Sequence, residues 1–176
     1  GGVSQLMALG CDEIVFGSEC GDINTLYAAA DILQHPEFSE TPISEAPEYS
    51  YSLCPNAPGL FELLCDLMDE IADAFEATDF HVGIDEVFYI GMCDRCKGQD
   101  PGDLLAGWLN RLHKHLADKG ITMWMWGDRM LDASLFPLRD VTYETTVNNT
   151  ADAIKYIDKD IVICDWHYQR EEMGQL

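Results

Sequence analysis

Residues 79–91 read "DFHVGIDEVFYIG". This is one of the most strand-like apolar runs in the chain, yet it carries His81, Asp85 and Glu86. Ionisable groups in such a run are costly unless they are paired or put to use. Neighbouring side chains of a regular strand point to opposite faces. Asp85 and Glu86 can therefore share one pocket only if the strand ends or bulges at the pair. Gly83, just before it, eases such an irregularity. A plainer reading stays open from the residues alone, with Asp85 capping the strand end and Glu86 solvated.

Working outward, strands and helices alternate. Ile14–Phe16 forms a short strand candidate, and "DINTLYAAADILQHP" reads as a helix closed by Pro36. Residues 36–58 hold five of the seven prolines and read as a long loop. In "GLFELLCDLMDEIADAF", Leu60, Leu64, Leu67, Ile71 and Phe75 recur at helical spacing. "QDPGDLLAGWLNRLHKHLADKG" is a well-marked helix, with Asp100 as cap, Pro101 in the first turn and Gly120 at the end. Its stripe is Leu104, Leu105, Trp108, Leu112 and Leu116, and its His113 and His115 are expected on a solvated face near the C-terminal end. "ITMWMWGD" and "IVICDW" are further strands, flanking a short strand candidate "VTYET" and a modest helix "TADAIKYID".

This alternation predicts a single α/β domain over residues 1–176 with a parallel sheet. The Asp85–Glu86 pair, Asp128 and the cluster Asp165–Trp166–His167–Tyr168 all fall at strand C-terminal ends, the edge that carries ligand sites in parallel α/β folds. A doubly wound sheet satisfies the same pattern. No glycine-rich phosphate loop is present, and aromatics at strand ends suit a sugar platform better than a nucleotide pocket. The expected fold is therefore part of a (β/α)8 barrel.

Ten Lys and Arg against 32 Asp and Glu give a formal net charge of -22. Such a surface repels phosphate backbones and anionic lipid, so neither nucleic acid nor membrane is an expected partner. No run of about 18 apolar residues could span a bilayer. The opening "GGVSQLMALG" has no basic segment of the kind a signal peptide needs and reads as the cut end of something longer. Seven cysteines fit no disulfide framework. Cys11, Cys20, Cys54, Cys65 and Cys164 read as buried thiols. Cys93 and Cys96, in "CDRC", read as a local disulfide or plain thiols, because a structural zinc usually needs a second pair or added histidines. No metal or cofactor is expected.

"FHVGIDEV" resembles the His-x-Gly-(Gly/Ala)-Asp-Glu motif of family 20 glycoside hydrolases, the β-N-acetylhexosaminidases. The resemblance continues in order along the chain. "GDINTLYAAADILQHPEFSE" is similar to the region after the family's third barrel strand, and "SLCPNAPGLFELLCDLMDEIADAF" to the segment before its fourth. "WMWGDRM" looks like strand five and "IVICDWHY" like strand six. It implies a partial (β/α)8 barrel, about strands three to six, and a substrate-assisted retaining hydrolysis of terminal β-linked N-acetylhexosamine from an oligosaccharide or glycoconjugate. It assigns Glu86 as general acid and then base, with Asp85 holding the acetamido N–H. His81 becomes a residue behind the acids, or a core histidine bonded to backbone. Trp126 and Trp166 become candidate sugar platforms, Asp128 a hydroxyl partner, and Tyr168 a further pocket candidate. Of Trp124 and Trp126, which share a face by alternation, at least one is expected in the core.

Three positions depart from the family pattern. Ile84 stands where the motif has a small residue, Asp22 follows Gly21 where many members have Gly-His, and the "CDRC" loop after the motif differs from that of the well-known members. Asp22 can still accept hydrogen bonds from sugar hydroxyls. The family's first-strand Arg and its seventh- and eighth-strand residues have no matching positions, so the chain is expected to be a fragment or to pair with a second copy. Four barrel strands leave open parallel edges through which the chain could self-associate. Two alternatives remain: a non-catalytic sugar-binding relative or incomplete catalytic fragment, and a metal-dependent hydrolase built on His81, Asp85 and Glu86.

Overall fold

The computed structural model describes residues 36–40, 52–135, 145–146 and 148–166. The strand expected at Ile14–Phe16, the helix leading to Pro36 and nearly all of "VTYET" lie outside the described residues.

Three parallel strands, β1 (Asp79–His81), β2 (Thr122–Trp126) and β3 (Val162–Cys164), lie side by side in chain order. In register, His81 faces Trp124, Trp124 faces Val162, and Trp126 faces Cys164. Consecutive parallel neighbours with helices between them are the repeating unit of a (β/α)8 barrel. The fold is a partial barrel of that type.

Helix α1 (Leu60–Phe75) precedes β1, and α2 (Pro101–Ala117) joins β1 to β2. Asp100 caps α2 as its position suggests, its Oδ1 accepting the N–H groups of Gly102 at 2.8 Å and Asp103 at 3.1 Å. The expected stripe of α2 is buried throughout, with Leu109 added. In α1 the buried line is Leu60, Cys65, Met68 and Ala72. Leu64, Leu67, Ile71 and Phe75 are only half-buried beside it, so the helix packs through its smaller side chains. The two helices meet where Phe61 sits edge-on to Trp108, 5.9 Å between ring centroids, with the Arg111 guanidinium 4.0 Å over Phe61.

Alternation along β2 divides the two faces of the sheet. Met123 and Met125 are fully buried, and α2 packs on this strand. Trp124 and Trp126 point the other way. Neither is core: Trp124 is exposed, its Nε1 donating to Asp79 Oδ1 at 2.9 Å, and Trp126 is half-buried. Gly127 follows, close against β3. A Cβ there would meet Ile163 Cγ2 at 2.6 Å and the Cys164 carbonyl oxygen at 3.2 Å, so no other residue fits without a shift.

The expectation of solvated histidines on α2 is corrected. His113 is buried, with Nδ1 3.0 Å from Asp158 and Nε2 3.3 Å from Asp160. His115 is half-buried, with Nε2 2.7 Å from Asp69. Both serve packing between elements through aspartate partners. The modest helix expected at "TADAIKYID" is a 3-10 helix, Thr150–Lys155. Among the described residues no helix is long and apolar enough to cross a membrane.

Candidate active site

The ladder between β1 and β2 runs past His81. Val82 N–H donates to the Trp124 carbonyl and Trp126 N–H to the Gly83 carbonyl, each at 2.9 Å. Regular extension then stops. Gly83, Ile84 and Glu86 all have positive φ, at 79°, 78° and 52°. The strand thus breaks at the acidic pair, as two adjacent acids in one pocket require. Glycine adopts such a φ freely, but a β-branched isoleucine does so at a cost of about 1–3 kcal/mol. Ile84 therefore stores strain beside Asp85 and Glu86.

His81 supports this break. Its Nδ1 accepts the Gly83 N–H at 3.1 Å, which puts the ring proton on Nε2. The ring lies 4.7 Å from that of Trp126, tilted by 58°. Burial holds its pKa below the usual histidine value, so the ring is neutral. Its Nε2 is buried without a hydrogen-bond partner among the described residues.

Past the break the chain makes no regular element, yet side chains from distant segments hold its backbone. Glu86 N–H donates to Asp128 Oδ2 at 3.0 Å. Asn148 Nδ2 donates to the carbonyls of Val87, at 3.2 Å, and Phe88, at 3.1 Å. Tyr89 N–H donates to Ser52 Oγ at 3.2 Å. The Glu40 carboxylate accepts from Gly91, Met92 and Cys93 at 3.3, 3.1 and 2.8 Å. An irregular loop whose backbone groups are satisfied this way is fixed rather than merely tethered. Glu40, Ser52 and Asn148 carried no signal in the sequence, because each acts across long sequence separation on backbone atoms.

Asp128, expected to meet sugar hydroxyls, is instead enclosed. It is 1% exposed and its neighbour Arg129 is 0% exposed. The oxygen that takes the Glu86 N–H also accepts Arg129 Nε at 2.6 Å. Arg129 lies over the Phe88 ring at 4.9 Å, and its carbonyl accepts the Thr150 hydroxyl at 2.9 Å. Asp128 is thus a positioning residue for Glu86, its shared oxygen fixed in place by the Arg129 guanidinium.

Asp85 is half-buried and Glu86 exposed, both at the C-terminal end of β1. Trp166 is half-buried just past β3, two residues beyond Cys164, the register partner of Trp126. Asp22 and Tyr168 lie outside the described residues. His81, Asp85 and Glu86 do not form a group of metal-ligating atoms among the described residues; Glu40, Cys54, Cys93 and Cys96 do. Cys93 and Cys96 are free thiols, not a local disulfide. An acidic cleft of about 490 Å³ lined by Asp100, Asp132, Ser134 and Asp152 contains none of the expected site residues.

These features define a sector of a (β/α)8-type barrel with its candidate site where that fold carries chemistry, at the strand C-terminal ends. The chain belongs to glycosyl hydrolase family 20, whose catalytic-domain profile matches residues 23–175. Among solved structures it is similar to the β-N-acetylhexosaminidase from Bacteroides fragilis NCTC 9343, with 18% sequence identity and a TM-score of 0.56. That match covers 84% of this chain and 26% of the other, so the chain spans about a quarter of that enzyme's length. No match is found among curated proteins.

Proposed function

We propose that this chain supplies the acid–base pair of a hydrolase that removes terminal β-linked N-acetylhexosamine by substrate-assisted retention. The observation that carries the reading is the break after Gly83: positive φ at Ile84 and Glu86, with the Glu86 N–H held by the buried Asp128 carboxylate. A break there releases the two adjacent carboxyl groups from the opposite faces that regular strand alternation would impose, which supports the reading.

In this reading the substrate's acetamido oxygen forms a bond to the anomeric carbon as the glycosidic bond breaks. Glu86 gives its proton to the departing oxygen, and the Asp85 carboxylate accepts a hydrogen bond from the acetamido N–H. Water then attacks the anomeric carbon, opening the oxazolinium ring and returning a proton to Glu86. Family 20 is an exception to the two-carboxylate nucleophile scheme, so no enzyme carboxylate bonds to sugar. Trp126 and Trp166 offer apolar faces for the ring and the acetamido methyl.

A second reading, a sugar-binding relative with little turnover, draws on Glu86's exposure and on Ile84. Glu86 faces water rather than an enclosed pocket, and Ile84 stands where the motif has a small residue.

The test is release of an aryl group from β-N-acetylglucosaminide, β-N-acetylgalactosaminide and β-glucoside substrates by wild type and Glu86→Gln. Turnover of the acetamido sugars alone, lost in the variant, supports the hydrolase. Sugar binding retained in both proteins without turnover supports the second reading.

A further inference from the structure

The four metal-ligating residues outside the candidate active site come together from three separate segments. Residues 38–40 and 52–54 pair antiparallel around the Ser39–Leu53 bridge. Glu40 N–H donates to the Ser52 carbonyl at 2.9 Å and Cys54 N–H to the Phe38 carbonyl at 2.7 Å. This pairing sets Glu40 and Cys54 at one end of the loop that leaves the acidic pair. There the C-x-x-C segment turns on itself, Cys96 N–H reaching the Cys93 carbonyl at 3.0 Å and Lys97 N–H the same oxygen at 2.9 Å.

Cys54 Sγ lies 3.4 Å from both Cys93 Sγ and Cys96 Sγ, and all the ligand atoms, with a Glu40 carboxylate oxygen, lie within 4.8 Å of one another. A disulfide needs sulfurs about 2.05 Å apart. Thiolates around a tetrahedral zinc at about 2.3 Å stand roughly 3.8 Å from each other. The observed spacing is close to the second and far from the first. The number of sulfurs agrees, since a disulfide would use two of the three and strand the other. Glu40 and Cys54 are 2% and 0% exposed, Cys96 is 0% exposed and Cys93 is half-buried, so three of the four donors are shielded from bulk water.

We propose that Cys54, Cys93, Cys96 and Glu40 form a structural zinc site, with three thiolates and one carboxylate oxygen in a closed tetrahedron. Glu40 already accepts three backbone N–H bonds, and a carboxylate has about four lone-pair sites, so one remains for the metal. Binding releases the three thiol protons to solvent, leaving a net negative ligand set. Positive and polar groups near the sulfurs offset that charge: Asn56 Nδ2 donates to Cys96 Sγ at 3.4 Å, and the Arg95 guanidinium acts electrostatically on Cys54 and Cys93. The zinc ties segments 38–40 and 52–54 to the loop that begins at Glu86, setting the far end of that loop as Asp128 sets the near one.

The test is made on the full chain, expressed with zinc supplied and purified without chelator. Elemental analysis is expected to give about one zinc per chain, and zinc X-ray absorption a shell of three sulfurs at about 2.3 Å and one oxygen at about 2.0 Å. Cys54→Ser and Cys96→Ser should each lose most of that zinc, while Cys164→Ser, outside the cluster, keeps it. The absorption spectrum of wild type needs no variant to fold and decides the matter alone. A chain with no bound zinc, fewer than three sulfur ligands, or a mass two hydrogens short from a disulfide among the three cysteines would overturn the site. A four-sulfur shell would overturn Glu40 as the ligand.

Discussion

Asp128→Asn is the sharpest probe of how the acidic pair is held. One oxygen of Asp128 accepts two bonds, from Glu86 N–H at 3.0 Å and from Arg129 Nε at 2.6 Å, in a site closed to water. Hydrogen bonds to a charged group contribute about 1.5–3 kcal/mol and neutral ones about 0.5–1.5. Asparagine keeps an acceptor but loses the charge, so each bond weakens by roughly 1 kcal/mol. Its amide nitrogen also lands where Asp128 Oδ1 is buried without a partner among the described residues, which leaves a donor unsatisfied. Together these give about 2–3 kcal/mol for Asp128→Asn, and about 3–5 kcal/mol for Asp128→Ala, which removes both bonds. At about 2–4 °C per kcal/mol for a chain of this size, Tm should fall by about 4–12 °C for Asn and further for Ala. Thermal or urea denaturation checks the order, and amide hydrogen exchange at Glu86 should accelerate in both. Two variants within about 0.5 kcal/mol of wild type, with unchanged exchange at Glu86, would refute the positioning role.

Other substitutions test the surrounding geometry. Gly127→Ala drives a Cβ to within 2.6 Å of Ile163 Cγ2 and should cost about 1–3 kcal/mol by denaturation, partly recovered by Ile163→Ala. Ile84→Gly should be more stable than Ile84→Ala by about 1–2 kcal/mol, reversing the ordinary order, because residue 84 sits at φ 78°. His81, held neutral by burial, has its folded pKa below the unfolded value of about 6.5. The unfolded chain therefore takes up the proton first, and His81's contribution, complete above about pH 6.5, is lost as pH falls through the folded pKa. Comparing Tm at about pH 7.5 and about pH 5.5, His81→Gln should lose less than wild type; an equal loss would contradict the neutral assignment.

The legible parts of this chain were those governed by local chemistry. Helix α2 was fully marked, because a capping Asp100, Pro101 and an apolar stripe act within one element. Strand alternation made a break at Asp85–Glu86 the condition for both acids to share a pocket, but it did not foretell the positive φ of Ile84. Helix α1 was placed correctly but its buried line was not, since Cys65, Met68 and Ala72 pack as well as leucines where two helices approach closely. Asp128 read as a substrate contact because strand ends carry sites, whereas its role depends on Arg129 and on a backbone N–H in another segment. His113 read as solvated because its aspartate partners lie far along the chain. Cys54 read as one more apolar thiol for the same reason: periodicity cannot show that a loop pairing brings it to Cys93 and Cys96.

The central claim is that the break after Gly83 delivers Glu86 as a general acid. Its most direct test compares two aryl N-acetyl-β-glucosaminides that differ only in leaving-group acidity, with wild type and Glu86→Gln. A poor leaving group needs the proton and a good one does not. The variant should lose about 10²–10⁴-fold on the poor leaving group and far less on the good one. Equal losses on both substrates, or none on either, would contradict the role given to Glu86.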